Sequence, residues 1–331
     1  MKSLLEESPV AVLGFGNQGE AQARVLRAAG LEVLVGARPS GGADARARAL
    51  DFPVFPLAEA ARRAGTLAVL LPDEVLPALW SELAAALPPT ARLVFAHGFN
   101  LLYSELAFPS ASDVVLVSPT GPGWILRELA ERGQGLPAYL AVHQDGSGRA
   151  WELAEAYADA LGCARAGLWK TTVREETEVD LFGEQTVLCG GMNALVTAAW
   201  ETLVQRGYAP EMAYLECVHQ LKYLADLLHQ RGIAGMRQAI SGTARYGDLT
   251  RGPQVIGEEV RAAMASVLEE IRSGAFAKEW RAEVAAGAPQ LRALERRSAA
   301  NPIEEARRRA VPGASASPAS ASESRKTLSK N

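Results

Sequence analysis

At 331 residues the chain is long enough for about two domains, and its 48 % apolar composition supplies a core of ordinary size. A net charge of -4 with both signs interspersed leaves no basic stripe for nucleic acid and no polybasic patch for a membrane. Cys163, Cys189 and Cys217 form no CxxC and no even set, so they read as reduced thiols of a cytoplasmic protein. The stretch from Met1 to Ser8 lacks a signal-peptide core, and the reading finds no stretch of about 18 or more apolar residues.

In chain order, residues 9–13 form a short apolar, β-favouring run that meets Gly14-Phe15-Gly16-Asn17-Gln18-Gly19, and residues 21–29 then read as helix. A Gly-x-Gly-x-x-Gly at a strand-to-helix turn lets the backbone approach a pyrophosphate and points free helix N–H groups at it. Residues 31–35 follow as a second strand at the spacing of a βαβ unit, which points to dinucleotide binding. That strand ends in Gly36-Ala37-Arg38-Pro39-Ser40 without an acid, so Arg38 and Ser40 are candidates to hold a ribose 2′-phosphate and NADP is the expected cofactor.

Further strands are expected at 67–71, 93–96 and 114–117, separated by helical or turn-rich stretches, the alternation of a doubly wound parallel α/β sheet. Ligands of such sheets lie at the C-terminal strand ends, where this chain has Asp73 and Glu74, then His97, and then the turn containing Gly121 and Gly123. Segments 139–142 and 164–169 finish the first domain. From Glu175 onward the pattern is helical, with candidates at 180–206, 210–231, 233–244 and 258–273. The expected division is 1–170, a dinucleotide-binding domain; 171–310, a helical domain; and 311–331, an Ala/Ser-rich tail that cannot bury a core.

Asp180 and Glu184 lie four residues apart, so on a helix both carboxylates project from one face and can reach one divalent cation. Glu216 and Gln220 repeat the spacing. Leu181 and Phe182 interleave the first pair, which then runs into Val187, Leu188 and Cys189, so an inward orientation is expected, and inward carboxylates need a metal or cationic partner.

Seven segments in order resemble the short class of ketol-acid reductoisomerases. They are Gly14 to Gly19, Leu71-Pro72-Asp73-Glu74, Ala96-His97-Gly98-Phe99-Asn100, Val142-His143-Gln144-Asp145, Asp180-Leu181-Phe182-Gly183-Glu184-Gln185, Leu188-Cys189-Gly190-Gly191 and Tyr246-Gly247-Asp248. The resemblance implies an N-terminal Rossmann-type domain followed by an all-α, knotted domain that binds metal and substrate and forms the dimer. It also implies Mg²⁺-dependent alkyl migration in a 2-acetohydroxy acid, then NADPH reduction of the resulting keto acid. By the same resemblance Asp180 and Glu184 are metal ligands, and Glu216 is a ligand reaching the site from a partner subunit. His97 is implied as the active-site histidine and Ser241, with Gln220, as substrate contacts. A homodimer or higher homo-oligomer follows.

The chain departs from that pattern where the family has Pro-Lys-Gly-Pro-Gly-His and this chain has Pro119-Thr120-Gly121-Pro122-Gly123-Trp124. Gln220 stands where the family has a second glutamate, and Arg245 where it has an acid. Three readings stay open: an authentic ketol-acid reductoisomerase, an NADPH-dependent reductase of a small keto acid or imine that has lost the isomerase step, and a silent NADP-binding homologue.

Overall fold

Val10, Ala11, Val12 and Leu13 are all buried and form β1 (Val10–Leu13). Val10 and Val12 enter one apolar core while Ala11 and Leu13 enter another, as required of a strand with helices on both faces. In this computed structural model, which describes residues 4–311, the chain divides into two compact units, Met1–Leu181 and Phe182–Asn331. The expected tail falls at 312–331, outside the described residues.

The first unit adds β2 (Val33–Gly36), β3 (Val54–Phe55), β4 (Thr66–Val69), β5 (Arg92–Phe95), β6 (Asp113–Pro119), β7 (Ala138–Asp145) and β8 (Leu168–Lys170). Their order across the sheet is β3-β2-β1-β4-β5-β6-β7-β8, so the winding reverses between β1 and β4. That reversal opens a crevice at the strand ends, where open α/β sheets take their ligands.

The sheet is parallel, as expected, except at one pairing: β7 runs antiparallel to β6, with Leu116 opposite Ala141. The 120–137 connection returns to the end of the sheet that it left, and the Thr120 N–H donates to Pro137 O at 2.8 Å to close it.

Helices α1 (Asn17–Ala28), α2 (Gly42–Ala49), α3 (Leu57–Arg63), α4 (Leu76–Ala86), α5 (Phe99–Tyr103), α6 (Gly123–Glu131) and α7 (Ala150–Ala160) flank the sheet. Leu26 of α1, Leu126 of α6 and Leu153 of α7 pack with Val10 and Val12. Ala60 of α3 and Trp80 of α4 pack with Ala11 and Leu13 on the other face. Helix α8 (Val173–Gly183) then closes the first unit, burying Val173, Glu176, Thr177 and Leu181.

The second unit is helical: α9 (Gly190–Gln205), α10 (Pro210–Tyr214), α11 (Leu221–Ala239), α12 (Gly242–Val255), α13 (Glu258–Arg272), α14 (Ala275–Ala285), α15 (Pro289–Ala299) and α16 (Ile303–Ala310). Helix α11 breaks at Gly232, whose φ of 66° no helical residue adopts. Trp200 anchors a small core with Ala213 and Ala306, and its indole N–H donates to Pro210 O at 2.9 Å. Large apolar side chains such as Met212, Tyr223, Ile233 and Leu249 stay exposed.

The helical run Val173–Gln205 also contains an 18-residue window of mean hydropathy 1.3, long and apolar enough to cross a membrane by length and composition. The sequence reading looked for an uninterrupted apolar run, and this is not one, because Asn193 and Thr197 interrupt it.

The turn from β1 into α1 depends on two glycines. Gly14 has φ of 97°, a region that side chains resist, and a Cβ on Gly19 would collide with Gly14 O. Because both colliding atoms sit on fixed backbone, Gly19→Ala is expected to destabilise the first unit by about 1–3 kcal/mol. Urea unfolding checks this: a midpoint equal to that of the parent chain would contradict the close packing.

Candidate active site

The dinucleotide end of the sheet starts at the β1–α1 turn. Gly16 caps α1 without a side-chain hydrogen bond, so the first-turn N–H groups remain available to an anion. A cavity of about 770 Å³ opens there, bounded by Gly14, Gly16, Asn17 and Gln18 on one side and by Arg38 and Arg46 on another. Phe15 contributes only backbone: its ring is 1 % exposed and meets Phe52 edge-on, while its carbonyl accepts from Arg46 Nη2 at 2.6 Å.

Ser40 lines a smaller adjoining cavity with Asp44 and Arg48, and has φ of 57°. Asp44, the first acid after this strand, is bound to Arg48 at 2.9 Å. Gly123 lies against Asn17, where a Cβ would collide with Asn17 O, so α6 starts directly beside the α1 turn.

A second cluster forms where the ends of β4 and β5 meet α8. His97 Nδ1 lies 3.2 Å from Asp180 Oδ2 and 3.9 Å from Glu176 Oε1, and His97 Nε2 lies 4.0 Å from Asp73 Oδ2. Asn100 Nδ2 donates to Asp73 Oδ1 at 2.8 Å and so fixes that carboxylate, while Gly98 N–H donates to Glu176 Oε2 at 3.2 Å. Burial works against a charge on His97, yet Glu176, Asp73 and Asp180 outweigh it and lift the ring to about 9. Burial likewise pushes the Asp73 carboxyl up, opposed by His97 and Asn100. His97, Glu176 and Asp180 each offer one ligand atom, all within 4.8 Å of one another.

The structure therefore brings His97, Asp73 and Asp180 together and adds Glu176 and Asn100, which the sequence reading did not assign to the site. Glu176 was findable, because it lies four residues before Asp180 just as Glu184 lies four after it. Glu74 adds a like charge beside Asp73.

In the second unit, Glu184 opens a π-helical turn, Glu184–Leu188, and Glu216 lies in another, Leu215–His219. Such turns frequently mark functional positions. The expectation that Glu184 faces inward is corrected, since Glu184, Val187, Leu188 and Cys189 are exposed in the single chain. The wider turn rotates residues after Glu184 away from the α-helical register, and Cys189 N–H bonds to Glu184 O at 3.0 Å. Gln220 Nε2 donates to Glu216 Oε2 at 2.7 Å, and Ser241 caps α12 by accepting from Ala244 N–H at 3.2 Å.

A Mg²⁺ ion takes oxygen ligands, and the donor chemistry here is compatible. Asp180 presents a carboxylate braced by an imidazole, the usual support of a ligating oxygen.

Comparison with known proteins gives the family. Residues 4–167 match the acetohydroxy acid isomeroreductase, NADPH-binding domain, and residues 173–311 match the ketol-acid reductoisomerase, C-terminal domain. A solved NADH-preferring ketol-acid reductoisomerase from an uncultured archean is 37 % identical, with a TM-score of 0.90 over 99 % of this chain and 97 % of that one. More distant structures share the fold alone. A semialdehyde dehydrogenase NAD-binding protein from Cupriavidus necator has 16 % identity and a TM-score of 0.62 over 80 % of this chain and 99 % of its own. A 1-pyrroline-5-carboxylate reductase from Streptococcus pyogenes has 13 % identity and a TM-score of 0.54 over 80 % and 98 %. With nearly all of its described residues matched to the two domains, the chain belongs to the ketol-acid reductoisomerase family, NAD(P)H-dependent enzymes of branched-chain amino-acid biosynthesis.

Proposed function

We propose that the chain converts a 2-acetohydroxy acid to a 2,3-dihydroxy acid with NADPH and Mg²⁺, using His97, Asp73, Glu176 and Asp180 as the reacting end of the first unit. The observation that carries this reading is the imidazole held among carboxylates at the strand ends. Asp180, Glu184 and Glu216 are the proposed Mg²⁺ ligands. Bound there, the cation would polarise the substrate's hydroxyl and carbonyl oxygens. His97 holds a proton beside that position and steadies Asp180, while Ser241 and Gln220 contact substrate. Gly14, Phe15, Gly16, Asn17, Gln18, Gly19 and Gly123 form the cofactor's turn, and Arg38 with Ser40 takes the 2′-phosphate. Asp44 cannot compete with Arg38 for the ribose while Arg48 occupies it.

A second reading, reduction without migration, is favoured by two side chains. Thr120, at the position of the family's lysine, donates its hydroxyl to Pro137 O at 3.0 Å, and Gln220 brings a neutral amide to Glu216. The second unit's small core and exposed apolar side chains support a second copy of the chain as its cover. We place the enzyme in the cytoplasm, in keeping with its free cysteines.

Three measurements test these readings. With Mg²⁺, NADPH oxidation is expected with both 2-acetolactate and 3-hydroxy-3-methyl-2-oxobutanoate; turnover of the second alone selects reduction without migration. In the same assay Arg38→Ala should raise KM for NADPH about tenfold and leave KM for NADH unchanged, whereas a parent chain that prefers NADH contradicts the 2′-phosphate assignment.

A pH series probes His97 in metal-free buffer. Its folded pKa of about 9 exceeds the ordinary 6.5, so its stabilisation is full below 6.5 and disappears as pH rises through 9. The thermal midpoint should fall across that window, and His97→Asn should flatten the fall; an unchanged slope would remove His97 as its source. Finally, sedimentation equilibrium at micromolar concentration should give at least a dimer, and a stable monomer would leave the exposed apolar face without its proposed cover.

A further inference from the structure

A line of side-chain hydrogen bonds runs through the interior of the first unit to its ligand edge. Tyr157 OH donates to Gln22 Oε1 at 2.8 Å, Gln22 Nε2 donates to Gln18 Oε1 at 3.1 Å, and Gln18 Nε2 donates to Gly121 O at 3.1 Å. Tyr157 and Gln22 are both fully buried. The other buried side chains of α1, among them Ala23, Val25 and Leu26, are apolar. Filling the core does not by itself ask for an amide at Gln22, because burying one costs free energy unless its polar atoms are bonded.

The line can run in one direction only. A backbone carbonyl accepts and never donates, so Gln18 must turn its NH2 to Gly121 O. Its Oε1 then faces Gln22, which has to donate, and the Gln22 oxygen is left facing Tyr157. A donating hydroxyl completes the series, and burial holds the Tyr157 hydroxyl well above its ordinary titration range, so its proton stays in place. Turning either amide over would set like groups against each other.

The last bond of the line spans the cofactor end of the sheet. Gln18 lines the dinucleotide cavity from the turn after β1, and Gly121 belongs to the turn after β6. Strands β4 and β5 lie between those two, and Asp73 and His97 follow them. The two turns meet again at Gly123 and Asn17, where a Cβ does not fit. We propose that Gln22, backed by Tyr157, is a positioning residue for the dinucleotide: it fixes the Gln18 amide, which holds the turn after β6 against the turn that receives the cofactor. The inference rests on the cofactor turn proposed above and extends it to residues with no surface in the cavity.

Binding of NADPH to the full-length chain without substrate, followed by the nucleotide's own fluorescence, tests the role; NADH serves if the parent chain prefers it. Gln22→Met keeps the side chain's length and removes both amide groups. It should weaken nucleotide binding about tenfold and raise KM for the nucleotide by the same factor, while KM for the 2-acetohydroxy acid stays within about twofold. Tyr157→Phe removes a single hydroxyl and should weaken binding about threefold, which serves if the methionine variant does not fold. Gln18→Ala should weaken binding about tenfold, and adding Gln22→Met to it should weaken binding no further, because the second residue acts through the first. Unchanged affinity in Gln18→Ala, losses that add in the double variant, or lowered thermal midpoints with unchanged nucleotide affinity in Gln22→Met and Tyr157→Phe would each overturn the proposal. A parent chain that binds nucleotide but turns over no substrate would defeat the proposed function and leave the affinities to decide the role of Gln22. One that binds neither NADPH nor NADH would overturn both.

Discussion

Glu176 sets the terms for the reacting end of the first unit. Its side chain is fully removed from solvent, on a helix that also buries Val173, Thr177 and Leu181. Taking a carboxylate out of water is tolerated only where donors and cations meet it. Gly98 N–H supplies a donor, and the adjacent His97 ring supplies charge. The demand also explains the glycine at 98, because a Cβ there would collide with Thr177 Oγ1 and crowd Glu176 Oε2. The loop after β5 is thereby pulled onto α8, and His97 arrives beside Asp180 as a consequence of satisfying a neighbour. The catalytic geometry and the stability of the loop are one problem in electrostatics.

Much of this arrangement was legible in the chain, and what was not legible has identifiable causes. Strands such as β1 and β6 are runs of Val, Leu and Ala buried on both faces, so composition alone marks them. Two-residue β3 has too little pattern to read. The direction of β7 depends on how its connection folds back, which strand composition does not encode. Helices α14, α15 and α16 escaped because Ala and Arg dominate them and few of their residues are buried. In the site, the spacing argument joined Asp180 to Glu184 and passed over Glu176. Glu176 is the buried one of the three, one turn before Asp180, whereas Glu184 opens the π turn and is exposed in the single chain.

The two π turns deserve comparison, since each carries one proposed ligand. A π turn adds one residue to a helical turn, so it reorients the side chains that follow without breaking the helix. Here Gly190 and Gly191 follow the first turn, at positions where a Cβ would collide with Gln185 O and Thr186 O. The glycine pair is what allows the wide turn and the next helix to share one backbone path. Gly190 and Gly191 are therefore steric requirements of the turn that opens at Glu184.

The distribution of charge also separates what the fold demands from what the chemistry selects. Lys170, Arg48 and Arg237 are each committed to a carboxylate, Glu155, Asp44 and Asp248 respectively, so their charges are locally cancelled. Exposed pairs of this kind contribute little stability. Glu176 differs in being buried, with the His97 ring as its cationic partner at 3.9 Å. The same helix thus presents Asp180 and Glu176 one turn apart, both beside His97, and the two carboxylates differ in exposure. Asp180, reachable from solvent, suits a hydrated ion; Glu176, wholly removed from it, serves to hold the protonated imidazole in place.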